Sequence, residues 1–269
     1  MPELPEVASR AREMQQSLVG KTITAIQVSQ PKSLNVTMDE FQSALTDARL
    51  QEVTYHGKWI FWDTTQGWML LNMGMGGEAL LRKKGELPEK RRVVLDFDDD
   101  TCLSINFWWF GYVHYVPEGE LQSHKMTRDL GPNVLDLTAE ELAGRMKGKR
   151  TRVKSFLLDQ SQVAGIGNAY IHDILFLSRL HPLRTLDTLD EQDIQKLSQG
   201  IRNGLLPSLS KGGAFYEVDL YGKPGGFTGD EIIIGYREGK PCPNCGTTIE
   251  KIKTGGTSSF VCPSCQKLG

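Results

Sequence analysis

No stretch of this sequence approaches the run of about 18 consecutive apolar residues that a membrane-spanning helix requires, and its start lacks the basic-then-apolar layout of a secretory signal. The cytoplasm is therefore the expected location, with no membrane partner. Internal repeats and low-complexity tracts are missing as well. With 269 residues, the chain has room for one large domain or two to three smaller ones, each with a real core. A decisive charge is also absent. The formal net charge of −2 is unevenly spread: residues 1–139 carry 14 Lys+Arg against 19 Asp+Glu, and residues 140–269 carry 17 against 14. Phosphate binding fits the second half better, although a solvated surface produces the same small excess.

Isolated cysteine is scarce. Of the five cysteines, four form CPNC and CPSC pairs sixteen residues apart: Cys242, Cys245, Cys262 and Cys265. That is the ligand spacing of one structural Zn2+ rather than a disulfide framework, because a short hairpin between two C-x-x-C turns places four thiolates tetrahedrally. Cys102, in TCLSINF, reads as a buried strand residue.

The apolar residues Val7, Ala11, Met14 and Leu18 recur at helical spacing, with Pro5 suited to the first turn and Glu6 to the positive end of a helix. From Lys21 to about Pro117 the texture is β: KTITAIQV, KWIFWDTTQGWMLL, RRVVLDFDDDTCLSINF and GYVHYV predict short strands joined by tight turns, in a sandwich or barrel-like sheet pair. LGPNVLD at 130–136 marks an exit from that region. Helical periods follow, beginning with a capping box at Thr138 and Glu141 and ending at LLPSL. A Gly-rich stretch then leads to the cysteine pairs.

Two short stretches carry chemistry. In VAGIGNAY, Gly165 and Gly167 leave the backbone open before a helix whose first turn is expected to contain Asn168. Free N–H groups converging there suit a phosphate, and the same residues also suit a tight interhelical turn capped by Asn168. In MPELPEV, removal of Met1 exposes Pro2 as a secondary amine. A terminal amine titrates near about 8, far below lysine, so a useful fraction is unprotonated at neutral pH.

PELPEV, the lysine in HGKWI, LGP, LLDQ followed by GIGNAY, the GKPG loop and a terminal CxxC–CxxC finger ending in CPSCQ occur in one order. In this order of motifs the chain resembles the formamidopyrimidine-DNA glycosylase and endonuclease VIII family over its whole length. The resemblance implies an α+β architecture. An N-terminal helix and two-layer β-sandwich would occupy residues 1–132, a helix–two-turn–helix domain with its lesion loop 133–225, and a β-hairpin zinc finger 226–269. It implies a bifunctional DNA glycosylase and abasic-site lyase acting, as a monomer, on double-stranded DNA that contains damaged bases or abasic sites. Pro2 matches the nucleophile, Glu3 the residue that handles protons during sugar-ring opening, and Glu6 a second acid near the site. Lys58 and Asn168 match residues that grip phosphates, and Lys154 is implied as a further DNA contact.

The chain also departs from the family pattern. Most bacterial members fill the gap left by a flipped base from HLGMSG and DPRRFG loops, where this chain has NMGMGG and NFWWFG. Met75 and Phe110 are kept, but Trp108 and Trp109 stand where two arginines are usual. Trp108 is therefore expected to wedge rather than read the orphaned base, and strand alternation predicts that one of the two tryptophans faces inward. In the finger, Thr257 replaces an arginine that clamps a phosphate. The lid segment AFYEVDLY is short, which fits an endonuclease VIII-like or specialised member and offers Phe215, Tyr216 and Tyr221 for stacking.

Overall fold

Leu4–Leu18 form helix α1 in the computed structural model, which describes residues 1–268. Glu3 and Glu6 close a capping box at its start, and Pro5 sits in its first turn. Its face of Val7, Ala11, Met14 and Leu18 is buried. The β region that follows holds β1 (Ile23–Val28), helix α2 (Met38–Leu45), β2 (Leu50–His56), β3 (Trp59–Thr64), β4 (Gly67–Asn72), β5 (Glu78–Lys83), β6 (Val93–Phe97), β7 (Thr101–Asn106) and β8 (Tyr112–Val116). These strands make two antiparallel four-stranded sheets, ordered β1-β6-β7-β5 and β2-β3-β4-β8. Inward residues of both sheets and of α1 share one apolar core, including Ile23, Trp62, Leu71, Leu95 and Leu103. Of the two arrangements the strand texture allowed, the layered sheet pair is the one observed.

The second region contains α3 (Ala139–Met146), α4 (Val153–Leu158), α5 (Ile171–Leu177) and α6 (Glu191–Ser210), followed by the hairpin β9 (Glu250–Lys253) and β10 (Ser258–Val261). Thr138 and Glu141 form the expected capping box on α3. Residues Met1–Asp129 together with Lys211–Gly226 form one compact unit, and Leu130–Ser210 together with Phe227–Gly269 form another. The Gly-rich stretch is thus divided, its first sixteen residues packing with the sheets rather than with the helices around it in sequence.

Candidate active site and nucleic-acid interface

The start of α1 gathers the residues with catalytic potential in the first unit. Pro2, Glu3 and Glu6 are buried. Glu6 Oε2 accepts the Glu3 backbone N–H at 2.9 Å, and Glu6 Oε1 accepts the Ala214 N–H at 3.0 Å. One carboxylate therefore pins both the N-terminal segment and the loop that begins at Gly213. Lys58 lies in the β2–β3 turn beside buried Gly57, whose φ of +58° suits glycine. Burial pushes the Lys58 ammonium down from its ordinary range, against the opposing pull of the Glu3 and Glu6 charges. An amine-bearing chain end, two acids and a partly desolvated lysine thus share one environment.

The loop from Gly213 to Gly222 is tied to α1 at several points. Leu220 N donates to Glu13 Oε2 at 2.9 Å, Arg10 Nη2 donates to the Gly212 carbonyl at 3.3 Å, and the Tyr221 hydroxyl lies 2.8 Å from Ser17 Oγ. Phe215 and Tyr216 meet edge to face at 5.2 Å, and both rings are exposed. The loop is short, anchored at its base and aromatic at its tip.

Met75 and Trp108 are also brought together. Met75 N donates to the Trp109 carbonyl at 2.8 Å and Trp108 N donates to the Met75 carbonyl at 2.9 Å, so the two loops form one platform. The approach demands glycine: a Cβ at Gly74 would lie 2.4 Å from Trp109 O, and one at Gly76 would lie 2.7 Å from the Trp108 ring. Trp108 and Trp109 are 67% and 64% exposed, which overturns the expectation that one of them faces inward. Regular strand geometry ends at Asn106, and Phe110, itself exposed, takes a left-handed φ of +57°, so alternation no longer governs these side chains.

In the second unit, Gly165 adopts φ +114°, and Asn168 lies exposed in a turn that ends before α5 begins at Ile171. The expected placement of Asn168 inside the first helical turn is therefore corrected by three residues. Its carbonyl accepts the Tyr236 hydroxyl at 3.2 Å.

Lys154 does not face solvent. It is 2% exposed, and Nζ donates among Thr254 Oγ1 (3.0 Å), Thr257 Oγ1 (2.9 Å), the Ser258 carbonyl (2.7 Å) and Ser259 Oγ (2.8 Å). Burial lowers this ammonium to about 8. Lys154 is thus an internal strut from α4 to the finger hairpin, and the Thr257 hydroxyl is engaged with it. Lys154→Met removes the donor and leaves several buried acceptors unsatisfied, so we expect a loss of about 2–4 kcal/mol, read as a lowered Tm of the second unit in calorimetry. An unchanged Tm would show that the hydroxyls re-pair without the lysine.

The four cysteines converge as their spacing predicts. All four Sγ atoms lie within 4.8 Å of one another, with pairs at 3.5 and 3.8 Å. Thiolates bound to one tetrahedral zinc ion sit about 3.8 Å apart, so the donor set fits this metal. Cys242 and Cys262 also join Ile249 and Phe260 in an apolar cluster with Phe176 of α5 and Ile234.

Asp173 is a further residue that shapes this unit and is not legible as such from its local sequence. Buried on α5, its carboxylate accepts the N–H groups of Ile233 (2.8 Å), Ile234 (2.9 Å) and Gly235 (2.9 Å), fixing the segment that enters the finger. Burial raises this carboxyl, and the three N–H bonds oppose the rise. The one available signal was a lone acid in the apolar run AYIHDILFL.

Three family models match the chain: the formamidopyrimidine-DNA glycosylase N-terminal domain over residues 1–106, the formamidopyrimidine-DNA glycosylase H2TH domain over 130–218, and a zinc finger found in FPG and IleRS over 239–268. The formamidopyrimidine-DNA glycosylase of Chloroflexus aurantiacus is 35% identical, the match covering 99% of this chain and 98% of that protein. That of Pelotomaculum thermopropionicum is 34% identical over all of both chains. A solved complex between the Lactococcus lactis Fpg and an abasic-site-containing DNA superposes with a TM-score of 0.90 at 25% identity, covering 98% of this chain and 99% of that one.

Proposed function

Because the chain belongs to the formamidopyrimidine-DNA glycosylase family, we infer that it is a bifunctional DNA repair enzyme, which excises damaged bases from double-stranded DNA and cleaves the strand at abasic sites. We place it in the cytoplasm, acting as a monomer. The observation that carries the residue-level reading is the buried Pro2 at the capped start of α1, beside Glu3, Glu6 and Lys58. The full-length relatives named formamidopyrimidine-DNA glycosylase favour this reading over an endonuclease VIII-like specialist or a non-catalytic damage binder.

The chemistry follows from the residue types. With Met1 removed, the Pro2 amine attacks C1′ of the deoxyribose while the base departs. Glu3 gives its proton to the ring oxygen as the sugar opens. A secondary amine yields an iminium that is cationic without protonation; this cation acidifies the neighbouring C2′–H, whose proton passes to water while its electron pair shifts toward the iminium and the 3′ phosphate leaves. Glu6, with both oxygens engaged by backbone N–H groups, serves as a positioning residue that holds the nucleophile segment and the lid loop together. Lys58 and Asn168 grip phosphates flanking the lesion. Cys242, Cys245, Cys262 and Cys265 hold a zinc ion that supplies structure and no bond chemistry.

The test is borohydride trapping on a panel of duplexes, each with one lesion. Covalent adducts are expected on oxidised-purine and abasic-site duplexes and none on undamaged DNA. Failure to trap any of them would overturn the reading.

Extruding a base takes a few kcal/mol and leaves a gap in the stack. We propose that Met75, Trp108 and Phe110 fill it, with exposed Trp109 completing the wedge. An indole mainly stacks, which is worth about 1–3 kcal/mol on any base, whereas a guanidinium discriminates through directed hydrogen bonds. Single-turnover rates for one lesion paired with A, C, G or T should therefore differ by less than about tenfold, equivalent to 1.4 kcal/mol. Trp108→Ala should slow all four about equally. A cytosine preference above tenfold would show that another residue supplies directed readout.

A further inference from the structure

The lid loop carries an acid that the reading above does not use. Glu217 follows the exposed Phe215–Tyr216 pair, but its own side chain is turned inward and only 10% exposed, with Oε1 lying 3.7 Å from the Met1 amine. The loop is fixed where Glu217 sits: its N–H donates to the Ala214 carbonyl at 3.0 Å, and its carbonyl accepts the Gly225 N–H at 2.9 Å. Ala214 is in turn held by Glu6. The charged groups facing Glu217 are the terminal amine, Glu6 and Arg10. Burial and Glu6 push its carboxyl up, the amine and Arg10 pull it down, and the balance stands at about 7.

Removal of Met1 transfers the chain's amine to Pro2, at most about 3.8 Å further along the backbone. The Pro2 nitrogen then lies one residue along the chain from the position at which the terminal amine meets Glu217 Oε1. We propose that Glu217 is the proton acceptor for the Pro2 amine in the lyase reaction. The proposal rests on the assignment of Pro2 as nucleophile and adds to it the group that receives the amine proton.

The step acts on the open-chain aldehyde of an abasic site. The Pro2 lone pair bonds to C1′ and the carbonyl electron pair moves to oxygen, leaving an ammonium N–H and an alkoxide. Glu217 carboxylate takes the ammonium proton, and Glu3 protonates the alkoxide. The freed nitrogen lone pair then expels the hydroxyl, which takes the proton back from Glu217 and leaves as water. The products are the iminium and water, Glu217 is restored as carboxylate, and one proton has been consumed through Glu3. A carboxylate that burial raises above the usual carboxylate range is a stronger base than an exposed one, which favours the first transfer.

The experiment measures the single-turnover rate of cyanoborohydride trapping on an abasic-site duplex from pH 5.5 to 9.5, for wild type, Glu217→Gln and Glu217→Asp. Binding to a duplex with a non-reactive tetrahydrofuran abasic analogue is measured in parallel. In wild type the rate should rise with pH as both carboxylate and amine lose protons, giving an acidic limb governed by two groups. Glu217→Gln should trap at least tenfold more slowly while keeping analogue binding within about twofold. Its limb should fall to one group and move to lower pH, because the amine loses the carboxylate that stabilises its charged form. Glu217→Asp should recover part of the rate together with the two-group limb. A Gln variant that traps at the wild-type rate overturns the proposal and leaves Pro2 as nucleophile intact. A slower Gln variant whose pH profile keeps the wild-type shape also overturns it, since a merely structural role slows the reaction without removing a titrating group. No adduct with wild type at any pH would overturn the parent reading and this proposal with it.

Discussion

Pro2→Gly should lower the yield of borohydride-trapped adduct on abasic-site DNA by about a hundredfold or more, equivalent to about 2.7 kcal/mol in the barrier. The substitution keeps a terminal amine and so isolates what proline contributes. A primary amine gives a neutral imine that must be protonated before it withdraws electrons, whereas the secondary amine gives the cation directly. Proline also restricts the backbone leading into the helix, with φ fixed near −65°. The Glu3–Glu6 capping box that starts α1 does not involve the Pro2 side chain, so the variant should fold with unchanged zinc content and Tm. Peptide mapping of the wild-type adduct should place the DNA remnant on Pro2. An adduct found only on an internal lysine such as Lys58, or a glycine variant that traps as well as wild type, would remove the terminal amine from the mechanism.

How far the sequence disclosed this site depended on how local each determinant is. The capped helix at MPELPEV and the CPNC and CPSC pairs are written in contiguous residues, and the structure shows the capping box and the cysteine cluster that those residues specify. Thr138 and Glu141 are another local signal of the same kind. Strands β2 and β5 and helix α2 went unread within the β region, because only the most apolar runs stood out there. The orientation of Trp108 and Trp109 was not legible either, since it depends on where β7 stops and on a left-handed residue at Phe110. Lys154 was implied as a DNA contact by the resemblance alone, and the acceptors of its ammonium lie about a hundred residues further on. Glu6 finds Ala214 across about twice that separation, and Asp173 finds Ile233 to Gly235 across about sixty residues. A charge was thus readable in kind but not in partner.

Chelation should release about one zinc ion per chain and abolish binding to abasic-site DNA. Beside the Lys154 strut, two further sources of stability act on the finger. One is the thiolate-bound ion, which contributes about 10–16 kcal/mol in isolated finger peptides and so can decide whether the hairpin folds. The other is the small cluster of Ile249 and Phe260 with Phe176 and Ile234, too few side chains to order the hairpin alone. Without the metal, the four cysteines lose the constraint that sets Ile249 and Phe260 against α5, and the Lys154 strut loses the fixed hydroxyls of Thr254, Thr257 and Ser259. Asp173 still holds Ile233 to Gly235, so the loss of order should stop short of those residues. Hydrogen exchange after chelation should show lost protection across β9 and β10, with α5 and the sheets of the first unit unchanged, and Cys262→Ser should reproduce the pattern. Metal analysis that finds no zinc in freshly purified, reduced protein, or a chelated protein that binds abasic-site DNA as before, would show that the cysteine cluster does not support the interface.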